Sequence, residues 1–290
     1  HILSVALCLA VVGAGLLWAD AQWLLPDNAS LRIIYERPME SHIGLVLLTH
    51  QIGFANILPM YAVMLFAAPF AIWLGWRRPK LLFILSMALW AAAGIWRGTG
   101  AGWELNLPNW PFPGGWFFNP LAWQFLFVIG LMIGMAKRQG RALVPERRWL
   151  TVATSAYVLF ALAIQWIPGA KEAFGHVLWL VQEAGMPWPV TTFDKTYLAG
   201  PRLLHVLAVA YLLAVIPAVR SFAASRVAKP LALLGRHSLP VFALGTVMAY
   251  AAQVIRGVIP KTFAMDSLVI ATGLMLMLLL ALARDRLRLR

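Results

Sequence analysis

Cysteine is nearly absent. Cys8 is the only one in 290 residues and lies inside an apolar run, which excludes disulfides, iron–sulfur clusters and thiolate zinc sites and leaves it a packing role. Acidic residues are also scarce: 11 Asp and Glu stand against 24 Lys and Arg, a formal net charge of +13. Nucleic acid, the usual partner of such an excess, is not expected, because no basic groove or RNA-binding motif accompanies it. Gly-x-Ser-x-Gly, His-Glu-x-x-His and Walker patterns are missing as well, which argues against serine hydrolases, zinc proteases and ATPases. No internal repeat, low-complexity tract or soluble domain stands out, so residues 1–290 read as a single membrane domain. The chain opens on His1 and enters a hydrophobic run at once, without the basic n-region or small-residue cleavage site of a signal peptide. The expectation is a chain that continues upstream.

Apolar length is what the sequence has in abundance. Hydrophobic residues make up 61%, and eight runs stand out at 2–19, 57–75, 81–95, 116–136, 150–167, 203–219, 238–254 and 263–283. Each approaches the ~20 residues that cross hydrocarbon, so the sequence predicts an all-α, polytopic membrane bundle of about eight transmembrane helices. The basic residues sort by side. Arg77, Arg78 and Lys80 fall in one connection, then Lys137, Arg138, Arg141, Arg147 and Arg148, then Arg220, Arg226, Lys229 and Arg236, and finally Arg284, Arg286, Arg288 and Arg290. Short connections rich in Lys and Arg stay in the cytoplasm, which places both ends of the chain there. The positive charge then faces anionic membrane lipid.

The segments assigned outside are long and polar. Residues 20–56 carry Asp20, Asp27, Arg32, Glu36, Arg37, Glu40, His42, His50 and Gln51, residues 97–115 carry Trp103, Glu104, Asn106, Asn109 and Trp110, and residues 168–202 carry Trp179, Trp188, Asp194, Lys195 and Arg202. Connections of this length usually bind something or are disordered. Two readings of the tryptophans stay open: an interfacial aromatic belt, or a platform on which rings stack against sugar C–H faces while amides and carboxylates bind hydroxyls.

Polar groups within the helices are costly and usually face a cavity. Asn119, Trp123 and Gln124 share a broad face of the fourth run, Arg202 and His205 are i, i+3 neighbours at the outer end of the sixth, and Asn56 and Tyr61 follow His50 and Gln51 in the second. Together they bring cation, titratable base, amides and the Asp194 carboxylate to one level. Bland alternatives remain for each: Arg202 snorkelling, His205 as a satisfied core residue, and Asn119 with Gln124 as interhelical hydrogen-bond glue. On the basic side, Arg236, His237 and Ser238 precede Pro240 at the start of the seventh run. Ser238 suits a helix cap, and the cations beside a helix amino terminus suit an anionic acyl donor.

Four stretches carry a resemblance: Thr49-His-Gln-Ile-Gly-Phe-Ala-Asn-Ile-Leu-Pro-Met-Tyr61, Phe118-Asn-Pro-Leu-Ala-Trp-Gln124, Phe193-Asp-Lys-Thr-Tyr-Leu198 with Arg202-Leu-Leu-His205, and Gly235-Arg-His-Ser-Leu-Pro-Val-Phe242. In this order they resemble the OpgC family of membrane acyltransferases, relatives of the acyltransferase-3 superfamily that succinylate osmoregulated periplasmic glucans. The resemblance implies a multi-pass enzyme of the bacterial inner membrane with no bound cofactor. It would use an acyl-CoA, succinyl-CoA first, as co-substrate and a periplasmic glucan as acceptor. It further implies that an Arg-Asp-type motif and the principal catalytic histidine lie upstream of His1.

Transfer to a sugar hydroxyl needs a base with a pKa near 7, for which histidine is suited, and donors for the thioester oxyanion. The candidates are His205, Arg202 and His50 for catalysis, and Asn119, Trp123, Gln124, Asp194, Lys195, Tyr61 and Trp110 for substrate contact. Arg236, His237 and Ser238 are the candidates for the donor. The rival class is a transporter or flippase using the same polar cluster, for which inverted repeats or paired broken helices are expected; a noncatalytic scaffold is a third.

Overall fold

The computed structural model describes residues 1–23, 25 and 28–288, so Asp27 and Arg290 of the assignments above lie outside the described residues. The chain is an all-α polytopic membrane protein, 75% helical, with no strand among the described residues. In chain order the helices are α1 (Ile2–Trp18), α2 (Ala29–Glu36), α3 (Pro38–Val46), α4 (Ile57–Arg77), α5 (Pro79–Gly98), α6 (Pro120–Arg138) and α7 (Arg148–Trp166). They continue with α8 (Ala170–Glu183), α9 (Trp188–Thr191), α10 (Gly200–Val215), α11 (Pro217–Ala224), α12 (Lys229–Arg236), α13 (Ser238–Val258) and α14 (Phe263–Arg288). Proline sits in the first turn of α3, α5, α6, α9, α10 and α12, where its missing N–H is no loss and its fixed φ already suits a helix.

Each apolar run of the sequence is largely helical. Among the described residues six helical segments are long and apolar enough to cross a membrane. The sixth run is broken at Ile216, where α10 and α11 meet at 71°; counted as one span, the pair makes seven. Pro217 opens α11 and cannot donate the amide that would continue α10. Helix α1 is a shorter apolar helix of 17 residues that begins at the second residue of the sequence. Two of the three long polar segments are not open loops, for α2 and α3 fill part of residues 20–56 and α8 part of residues 168–202, while residues 99–119 carry no helix.

Two compact units interleave along the chain. In the unit made of His1–Pro59, Asn109–Pro113 and Ser221–Arg290, α1 packs along α13 and α14 packs against α12 and α13. Its core joins Val5, Cys8 and Val12 to Leu31, Ile52, Val247 and Tyr250. Gly15 allows this approach, since a Cβ there would stand 2.8 Å from Val254; bare backbone contact of this kind substitutes for the hydrophobic drive that lipid does not supply. In the unit made of Met60–Pro108 and Gly114–Arg220, α5 packs on α6, α7 on α10, and α9 on α5. Gly94 gives α9 its seat, a Cβ there falling 2.6 Å from Pro189. Helix α7 buries no residue in the protein, so its apolar surface is left to lipid.

Candidate functional site

The segment linking α9 to α10, residues 192–199, is the point on which the second unit converges. Asp194 shapes it locally: its Oδ1 accepts from the Tyr197 amide at 2.8 Å and its carbonyl from the Ala199 amide at 3.1 Å. Leu198 adopts a left-handed φ of 46°, an uncommon conformation for a branched side chain that only a well-held backbone sustains. The holding comes from three helices. Trp90 Nε1 of α5 donates to the Leu198 carbonyl at 2.9 Å, and Trp123 Nε1 of α6 donates to the Lys195 carbonyl at 2.9 Å. The Asn119 amide at the start of α6 donates to the Thr196 carbonyl at 3.0 Å. Arg202 of α10 donates through Nε and Nη2 to the Phe193 carbonyl at 3.3 and 3.0 Å. Beneath the segment the Tyr197 hydroxyl donates to Glu104 at 3.4 Å. Burial, then the Glu104 charge, pushes that phenol up to about 12, so it remains a protonated donor.

The structure thus brings Asn119, Trp123, Asp194, Lys195 and Arg202 together, though largely through the backbone they hold. Asn119 is fully buried with both side-chain ends used: Oδ1 caps α6 by accepting from the Leu121 amide at 2.9 Å, and Nδ2 donates to the Leu105 carbonyl at 2.8 Å. Gln124, one turn further in, donates to the Ser86 carbonyl of α5 at 2.8 Å and accepts from the Ser86 hydroxyl. Gln124 thus ties α6 to α5, whereas Asn119 caps its own helix and ties down the loop before it. Lys195 is exposed.

His205 differs from its neighbours. It is half-buried on α10, its ring 6.3 Å from that of Tyr157, whose hydroxyl donates to the Pro201 carbonyl at 2.7 Å. Among the described residues the His205 imidazole has no hydrogen-bond partner.

The remaining candidates lie elsewhere. His50, Gln51 and Asn56 belong to the other unit. His50 is fully buried, held by its amide to the Gly44 carbonyl at 3.0 Å and through Nε2 to the Ser30 carbonyl at 2.9 Å. Burial draws its pKa below the usual imidazole value against the opposing pull of that Ser30 bond. Among the described residues its Nδ1 and both polar ends of Gln51 are buried without a hydrogen-bond partner. Tyr61 lies on α4 with 44% of its surface exposed, and Trp110 is exposed to the same extent while its carbonyl accepts from Thr49.

At the start of α13, the expected cap is corrected. Helix α12 runs through Arg236, so the one residue between the helices, His237, takes the cap position, and Ser238 is already the first helical residue with no capping bond. Arg236 and His237 both face Asp285 of α14, at 3.4 and 3.3 Å. An internal carboxylate therefore already occupies the anion-seeking face of that pair.

Of the four loop tryptophans, Trp188 packs edge-on against Tyr197, whereas Trp103, Trp110 and Trp179 remain 59%, 44% and 53% exposed, as both belt and platform require. Trp90, Ser86, Tyr157 and Tyr250 went unnoticed in the sequence. Ser86 alone carried a signal, a hydroxyl in mid-run on the helix next to that of Gln124. Among the described residues no three His, Cys, Asp or Glu side chains gather as a metal site.

A family model described as OpgC protein covers residues 1–289. No curated protein and no solved structure matches.

Proposed function

The chain therefore belongs to the OpgC family, and we propose that it is an inner-membrane acyltransferase that moves an acyl group, succinyl first, from an acyl-CoA to hydroxyls of a periplasmic glucan. The family match along nearly the whole chain carries this reading. The membrane-spanning helices and the partnerless imidazole of His205 support it.

In the proposed reaction a histidine ring nitrogen accepts the proton of a glucose hydroxyl as its oxygen attacks the thioester carbonyl, with His205 either that base or the residue that positions the hydroxyl for the principal catalytic histidine the resemblance implies. The tetrahedral intermediate collapses by breaking the C–S bond, and the imidazolium returns the proton to the departing thiolate. Arg202 acts here as a positioning residue, setting through Phe193 the loop that carries Asp194 and Lys195. His50, enclosed and bound to Ser30, is the less accessible base.

Besides the polar cluster, the broken span at Ile216 is a feature a transporter would share. Transporter folds place such breaks in corresponding pairs, and the described residues show a single bent pair.

The test supplies the gene in full to cells lacking glucan acylation and analyses extracted glucans by mass spectrometry. New ester-linked acyl groups are expected. Glucan altered in amount or location but never in acyl content replaces the enzyme with the transporter.

A further inference from the structure

Two apolar grooves flank α6, both within the second unit. The larger, about 1000 Å³, runs between α6, α7 and α10 and is walled by Ile129, Ile133, Leu150, Ala153, Leu207 and Ala214. Along α10 it extends from Leu204 to Val215, a rise of roughly 16 Å, or about the depth of one leaflet. At its basic end stand Lys137, Arg141 and Arg220 with Glu146. Arg220 is already paired with Glu146. Lys137 and Arg141 are exposed and have no carboxylate partner among the described residues. The α6 dipole explains a cation at Lys137, but it does not explain an apolar channel below it.

The smaller groove, about 660 Å³, lies on the other side of α6 against Trp76, Phe83 and Met132, with Lys80 on its rim. Arg141, Ala142 and Leu143 line both grooves. One unpaired cation thus stands at the head of two apolar channels. A single-chain amphiphile would fill only one of them.

We propose that this face binds an anionic diacyl phospholipid, its phosphate on Lys137 and Arg141 and one acyl chain in each groove. Basic pockets between membrane helices on the cytoplasmic side favour such headgroups, and the positive-inside assignment puts residues 137–148 on that side. The inference is independent of acyl transfer.

Native mass spectrometry of the chain in detergent tests it, using dioleoyl-phosphatidylglycerol, dioleoyl-phosphatidylcholine, lysophosphatidylglycerol and palmitoyl-CoA. Phosphatidylglycerol should be retained over phosphatidylcholine of the same chains and over the lysolipid. Lys137→Gln with Arg141→Gln should lower phosphatidylglycerol affinity on the order of 25-fold and leave phosphatidylcholine unchanged. Ala153→Trp, which fills the larger groove from the lipid-facing α7, should lower retention while both cations remain. Unliganded melting temperatures of the variants show whether the fold is intact. Equal retention of the neutral and anionic lipids, or of one-chain and two-chain lipids, overturns the proposal. So does displacement of phosphatidylglycerol by substoichiometric palmitoyl-CoA, which would make the groove a donor conduit.

Discussion

Replacing Asn119 by alanine separates a residue that holds the fold from one that touches substrate. The substitution keeps the backbone bond to Thr196 but strips the Leu121 amide and the Leu105 carbonyl of their partners, at a site with no exposed surface. A buried group left unpaired costs about 1–3 kcal/mol, and losing a helix cap costs about 1 kcal/mol. Leu105 and Leu121 are only half-buried, which favours the low end, so the total expected is about 2–3 kcal/mol. Asn119→Ser restores an acceptor for Leu121 but no donor for Leu105, and should recover about half of that. Unfolding in detergent measures the loss, and glucan acylation per surviving molecule measures function. The expected outcome is lowered stability with per-molecule activity largely kept. Unchanged stability with acylation abolished would mean that the amide faces substrate, and the fold-holding assignment would fail.

Arg202→Lys replaces a two-nitrogen grip on the Phe193 carbonyl with a point charge; acylation should fall about tenfold beyond any loss of protein, and an unchanged rate reduces Arg202 to an interfacial side chain. Because burial depresses the His50 pKa from its reference of 6.5, its contribution to stability is complete above 6.5 and is lost as pH falls below that value toward the folded pKa. Melting temperatures should therefore decline on acidification, and His50→Gln should flatten the decline. Cysteines placed at Asn109 and Gln139 in a Cys8→Ala background should react with an impermeant reagent from the periplasm at 109 and not at 139; the reverse pattern inverts the topology.

Hydrophobic runs made the helical class legible, because transmembrane helices must be long and apolar whatever they pack against. Span number was less legible, since composition does not register that the sixth run bends by 71° at Pro217. Helices α2, α3 and α8 were read as loops because their charges interrupt the apolar pattern; α8, for example, begins after the left-handed Gly169 and carries Lys171 and Glu172 in its first turn. At the site, residue types single out positions but do not show what those positions bind. Trp90, Trp123, Asn119 and Arg202 converge on main-chain carbonyls, which every residue possesses and no sequence pattern marks. The pairing of Arg236 and His237 with Asp285 was hidden for another reason: the three meet only when α12 folds back on α14.

The most direct test of acyl transfer is made in proteoliposomes holding the purified full-length gene product, with succinyl-CoA labelled in its succinyl group on one side and neutral glucan on the other. The account predicts that label passes into the glucan, is released by mild alkali as an ester, and falls sharply with His205→Ala. Label that remains in the donor while glucan crosses the membrane unmodified would contradict it.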